Sequence, residues 1–119
     1  MTTSPKKKYL AIYLAPAQVL ADWAKTDPAT KQAAEAKMRT EWQQWMRDHA
    51  SMISITEAAG KTKSITSSGL SDTRNDIMLY SIVEADSHDI AAKAFERHPH
   101  LQIPQSSIQV TEIRPLGVM

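Results

Sequence analysis

Three stretches of the chain carry the apolar pattern of buried strands. From Lys8 to Leu14, Tyr9, Ala11 and Tyr13 fall on one side and Leu10, Ile12 and Leu14 on the other. Both sides are largely apolar, which predicts a central strand covered on both faces. Ile77 to Ala85 repeats that two-sided pattern and is the strongest strand in the sequence. Ser107 to Arg114 alternates through Ile108 and Val110, but its next apolar residue is Ile113. The phase slips by one there, and a bulge near Thr111 and Glu112 is expected.

Helical spacing fills the gaps between these strands. Pro16 opens a short helix whose stripe is Val19, Leu20 and Trp23, since proline suits the first helical position. Asp27 and Pro28 mark a cap and a new start. The second helix then runs to about Ala50. Its inner face is Ala34, Met38, Trp42, Trp45, Met46 and His49, spaced by threes and fours, and its outer face is mostly charged. Glu35 and Arg39 stand four apart in the favourable order. Ser51 to Ala59 reads either as more helix or as a loop over the core. Gly60 is a turn, and Lys61 to Thr66 is an edge strand protected by its lysines. Ser67 to Asp72 is a loop by composition. Ser87 caps a third helix with Ile90, Ala91, Ala94 and Phe95 as its buried stripe, ended by Pro99.

The order strand, helix, helix, strand, strand, helix, strand is a β-α-β-β-α-β unit with an extra helix. It predicts an α+β fold: a ferredoxin-like four-stranded antiparallel sheet with helices on one face, in one domain spanning residues 1–119 behind an arm at 1–7. One sheet face, made by Leu10, Ile12 and Leu14 or by their opposites, is then apolar and uncovered. A monomer seldom exposes that much apolar surface, so a homodimer through the open sheet face is expected.

Composition narrows the chemistry. Net charge is +1 and the longest basic run is Lys6-Lys7-Lys8, so binding to nucleic acid by bulk electrostatics is not expected. There is no cysteine, which removes disulfides, thiolate catalysis and zinc–sulfur sites and fits a cytoplasmic location. Lys6-Lys7-Lys8 followed by an apolar run resembles a secretory leader, but seven apolar residues are few for one and the fold needs that strand. No stretch approaches the ~20 apolar residues of a membrane span. The three glycines form no phosphate-cradling loop or dinucleotide fingerprint, and no cofactor is expected.

The candidate chemistry lies in histidines. His49 follows Trp45 and Met46 on the apolar side of its helix, where it is either a general base or a core imidazole bonded to a carbonyl. His98 and His100 flank Pro99. They read either as a helix C-terminal cap or as partners of His49 in one site. Two histidines in an H-x-H array need a third ligand to hold a metal, and no metal is assigned. Trp42 and Trp45, with Tyr80 and Arg114, are the candidate lining of a small-molecule pocket. His88, in the first turn of the third helix, reads as solvated.

The chain resembles the YCII-related (DGPF-domain) family. The matching residues are Tyr9 to Tyr13, Gly60-Lys61, Tyr80 to Ser87 and Ile108 to Leu116. Ser68 to Asp72 and His98-Pro99-His100 look like a bacterial subgroup of it. The resemblance implies a dimeric α+β barrel, two sheets packed back to back. In one branch of that family a histidine on the long helix and an aspartate before a helix-ending proline are proposed as an active pair. The histidine matches His49; the aspartate's place is taken by His98, and Ser68 to Asp72 stands roughly where the Asp-Gly-Pro-Phe motif would be.

Two functions follow. One is a dimeric enzyme or ligand-binding domain that uses His49 with His98 or His100 for acid–base chemistry on a small organic molecule. The other is a non-catalytic regulatory protein acting by self-association or partner binding.

Overall fold

The computed structural model describes residues 6–117. β1 (Lys7–Leu14) lies between β5 (Ile77–Ala85) and β6 (Ser107–Ile113), and β2 (Ile53–Ala58) pairs on the outer side of β5. All pairings in this four-stranded sheet are antiparallel. α1 (Ala17–Ala24) and α2 (Pro28–Asp48) connect β1 to β2, and α3 (His88–Lys93) with a 3-10 turn (Pro99–Gln102) connects β5 to β6. The fold is therefore the expected α+β sheet with helices on one face. The arm expected at 1–7 falls largely on residues outside the described range, and Lys7 already belongs to β1.

The two-sided pattern of β1 sorts as its alternation requires. Tyr9, Ala11 and Tyr13 are buried with Ser81, Val83 and Ala85 of β5 under the helices, while Leu10, Ile12 and Leu14 are half-buried on the far side. Trp45 from α2 and Ala91 and Phe95 from the α3 region close the core over them. The caps are those the sequence names. Asp27 accepts the Thr30 N–H at 3.0 Å, and that bond holds its carboxyl below the usual carboxylate range. Ser87 accepts the Ile90 N–H at 3.1 Å.

Several expectations are corrected. The second strand of the sheet is Ile53–Ala58, inside the ambiguous 51–59 stretch, and not Lys61 to Thr66. The 61–66 stretch becomes β3 (Thr62–Thr66), and the loop expected at 67–72 becomes β4 (Gly69–Thr73); the two pair only with each other. Gly69, with φ +126°, closes their turn in a conformation that side chains rarely adopt. β6 carries no bulge. It runs in unbroken register against β1 from Leu14↔Ser107 to Lys8↔Ile113, and Ile113 simply faces the open side. The register shifts lie instead between Tyr13 and Leu14 and between Ile53 and Ile55. α3 ends at Lys93, well before Pro99, which starts the 3-10 turn. Ile90 is 53% exposed rather than core, because α3 packs inward through Ala91. Glu35 accepts the Trp23 indole N–H at 3.3 Å, and the ion pair on α2 is Lys37 with Glu41 at 3.5 Å.

Candidate functional site

α2 is long enough to bring its last two turns over the sheet, and these carry Trp42, Trp45 and His49. Tyr13 rises from β1 beneath them. The 3-10 turn after α3 comes in from the side, because Pro99 pre-sets its first residue and His98 caps it. The His98 Nδ1 accepts the His100 backbone N–H at 2.9 Å. His98 is thus a cap, but at the N-terminus of a 3-10 turn and not at the end of α3. Both rings are sealed in: His98 is 2% exposed and His100 0%.

Around them is a shell of aromatic rings. The His98 ring meets Trp42 edge-on at 4.4 Å and Trp45 at 4.4 Å. Tyr13 touches His98 at 5.1 Å and His100 at 5.6 Å between centroids, and Phe95 stacks on His98 at 6.0 Å. The Trp45 indole N–H donates to the Ala94 carbonyl at 3.1 Å. Tyr13 and Phe95 escaped the sequence reading as site residues. Only the parity of Tyr13 with Tyr9 and Ala11 marks it as facing the helices. The Tyr13 hydroxyl joins a short chain of hydroxyls across three strands, 2.9 Å to Ser81, which lies 2.7 Å from Thr56. Burial pushes the Tyr13 phenol above its ordinary range, against the pull of Ser81.

Hydrogen bonding fixes the tautomers. The Leu14 carbonyl can only accept, so the His100 Nε2–H donates to it, at 2.9 Å. That leaves the His100 Nδ1 as a lone pair. The His98 Nδ1 accepts, so its proton sits on Nε2. These two remaining atoms, the His98 Nε2–H and the His100 Nδ1, are both buried and both without a partner. One is a donor and the other an acceptor. Burial, then the neighbouring His100 and His49, hold the His98 imidazole down to about 3, and burial also lowers His100 against the opposing pull of the Leu14 and Ser107 backbone. Each neutral ring offers one N–H donor and one lone-pair acceptor.

His49 is placed differently. It is the C-cap of α2, half-buried, with its ring stacked on Trp45 at 4.3 Å. Its Nδ1–H donates to the Trp45 carbonyl at 2.8 Å, which leaves Nε2 as a lone pair. Trp45 stands between His49 and His98. Among the described residues no three His, Asp or Glu side chains stand close enough to hold a metal ion.

The remaining pocket residues are not brought together. Tyr80 pairs with Ile12 on the open face of the sheet and donates to Glu57. Its place in a pocket with Trp42 and Trp45 is withdrawn, because its parity on β5 points it away from them. Arg114 is exposed beyond the end of β6. His88 is exposed yet engaged: its ring stacks on Tyr9 at 5.1 Å and its Nε2 lies 2.7 Å from the Val110 carbonyl. Trp42 also lines a hollow of about 330 Å³ along α2, with Glu35, Met38, Arg39 and Gln43. A second hollow of about 840 Å³ lies at the base of the β3–β4 hairpin.

No family model and no curated protein matches the chain. Solved structures that resemble it in part include the following two. One is 5-chloro-2-hydroxyhydroquinone dehydrochlorinase (TftG) from Burkholderia phenoliruptrix AC1100, in complex with 2,5-dihydroxybenzoquinone. It is 9% identical, with a TM-score of 0.46, over 86% of this chain and 89% of that one. The other is a hydantoinase/carbamoylase family amidase from Burkholderia ambifaria, 13% identical with a TM-score of 0.34, over 92% of this chain and 28% of that one. At these identities the likeness is one of chain path. No helix among the described residues is long and apolar enough to cross a membrane.

Proposed function

We propose that the protein is a homodimeric α+β-barrel domain, of the kind the YCII-related resemblance implies, that binds and turns over a small organic molecule. The buried, unpartnered donor–acceptor pair of His98 Nε2–H and His100 Nδ1 carries this reading. A small-molecule site is usually lined by apolar and aromatic side chains with a few polar atoms among them, and here Tyr13, Trp42, Trp45 and Phe95 surround the His98 ring. The pair suits a planar ligand that offers a carbonyl to His98 and a hydroxyl to His100. A neutral imidazole that donates to a carbonyl polarises it without giving up its proton. His49 carries its free Nε2 across the Trp45 ring from that pair, and it is the proton acceptor for a ligand that reaches past the indole.

The test is ¹⁵N NMR of the imidazole rings against a panel of small hydroxylated aromatic ketones and quinones. A ligand of this site shifts His98 Nε2 and His100 Nδ1 together, and His49→Gln keeps binding while abolishing turnover. A panel that moves none of the three rings, with the two nitrogens exchanging only with water, overturns the proposal.

A further inference from the structure

The chain is too open to be complete alone. Its radius of gyration is 17.1 Å and its extents are 57 × 45 × 19 Å; a compact domain of this length has a radius of about 13.5 Å. Its accessible surface is 8909 Å², against about 6,500 Å² for a compact chain of this mass. The excess, roughly 2,400 Å², is of the size each partner loses in a large obligate interface rather than the ~800 Å² of a standard one. The open sheet face alone is a small platform. Four strands at about 4.8 Å spacing and some seven residues at about 3.3 Å give a footprint of roughly 440 Å². Further surface must be covered.

The β3–β4 hairpin supplies it. Its strands bond only to each other, and a two-stranded hairpin is marginal in water on its own. One of its faces is all hydroxyl and glycine: Thr62, Ser64, Thr66, Gly69, Ser71 and Thr73. The other pairs Ile65 with Leu70 and Lys63 with Asp72. Ile65 and Leu70 are 79% and 66% exposed, and the Lys63 ammonium lies 2.6 Å from the Asp72 carboxylate. An arm that directs its only two apolar side chains into water is shaped for another surface. The hollow on α2 has the matching chemistry: an apolar floor of Met38 and Trp42, flanked by one anion, Glu35, and one cation, Arg39.

We propose that in the dimer each hairpin reaches across to a second copy of the chain and seats Ile65 and Leu70 on the partner's Met38 and Trp42. Lys63 then turns towards the partner's Glu35, and Asp72 towards the partner's Arg39. The contact occurs twice about the two-fold axis and closes on itself. It also covers the half-buried Trp42, the ring that meets His98 edge-on. The inference rests on the dimer proposed above and is independent of the chemistry assigned to the imidazoles.

The chain has no cysteine, so cross-links can be placed at will. Protomers carrying Leu70→Cys are mixed with protomers carrying Met38→Cys and oxidised, with Leu70→Cys plus Asp89→Cys, exposed on α3, as the control pair. The oligomeric state is read by light scattering in parallel. The expected result is a covalent heterodimer for the first pair only, at least about tenfold weaker association for I65S/L70S, and weakened association in Lys63→Glu that Glu35→Lys restores. A wild-type dimer with no Leu70–Met38 link, and with I65S/L70S as tight as wild type, overturns the arm exchange and leaves the dimer standing. A wild-type monomer overturns both. A link formed within one chain when both cysteines are placed together overturns the exchange in favour of self-docking.

Discussion

The two faces of the sheet are made by the same strands and are almost equally apolar, yet they reach opposite outcomes. Beneath the helices, Tyr9, Tyr13, Val83, Trp45 and Phe95 form a closed core that also swallows two imidazoles. On the other face Leu10, Ile12, Leu14 and Ile82 stay half-exposed and Tyr80 is tied to exposed Glu57. The covered face admits polar groups at a cost, while the open one leaves apolar groups unmatched. The contrast teaches that an apolar pattern alone does not bury a sheet face: the helices cover one and leave the other open.

The largest effect that tests this contrast is a truncation on each face. Trp45→Ala removes the ring that separates His49 from His98 and is expected to cost about 3–5 kcal/mol in chemical denaturation at any protein concentration. Leu10→Ala on the open face is expected to destabilise the dimer, so its effect on the midpoint depends on protein concentration. Equal, concentration-independent losses for both would erase the distinction between the faces.

Next in size is the acid limb. His98 is held at about 3 in the folded chain, whereas the unfolded imidazole protonates near 6.5. Below that value the unfolded state binds a proton that the folded state refuses. The stability from His98 is therefore complete above about pH 7 and falls towards about pH 3, by about 1.4 kcal/mol per pH unit. At pH 5 the loss is about 2 kcal/mol, and His100, lowered by burial, adds in the same direction. His98→Asn keeps a capping acceptor but cannot titrate, so its urea midpoint should fall less steeply between pH 7 and pH 5. An unchanged slope would mean that the ring is hydrated in the fold.

These expectations show what the sequence could and could not convey. β1, β5 and β6, the long helix and both side-chain caps were legible, because each has a period or a capping residue that acts locally. β2 was not. Its bulge between Ile53 and Ile55 breaks the alternation, and beyond Ile55 the strand turns polar. The β3–β4 hairpin was half-read, since neither of its faces is buried within the chain and no apolar period marks them. The only local sign was Gly69 after two serines. His49 was legible by spacing, and so was its alternative bond to a carbonyl, which is the one it makes. The roles of His98 and His100 depend on a 3-10 turn and on the Leu14 carbonyl, 86 residues away from His100, and nothing in a linear pattern announces that. The misplacement of Tyr80 was a question of parity, which only the register with Ile12 resolves.

The smallest effect makes the sharpest comparison, because one substitution can be placed on both faces. Tyr13→Phe removes a buried hydroxyl at one end of the Tyr13–Ser81–Thr56 chain. Ser81 keeps Thr56, so the cost should be about 1–1.5 kcal/mol, that of a satisfied buried hydrogen bond. Tyr80→Phe removes a bond to exposed Glu57. In a separated protomer this should cost at most about 0.5 kcal/mol, since water takes the place of the phenol. In the dimer the Glu57 carboxylate would sit at a shared face with its donor gone, and the cost should rise to about that of Tyr13→Phe or beyond. Denaturation of the two variants at low and at high protein concentration separates these cases. Tyr13→Phe should give one value throughout, while the penalty for Tyr80→Phe should grow as the dimer becomes populated. A Tyr80→Phe penalty that is small at every concentration would mean that the open face stays wet, and with it the second copy would lose its place on the sheet.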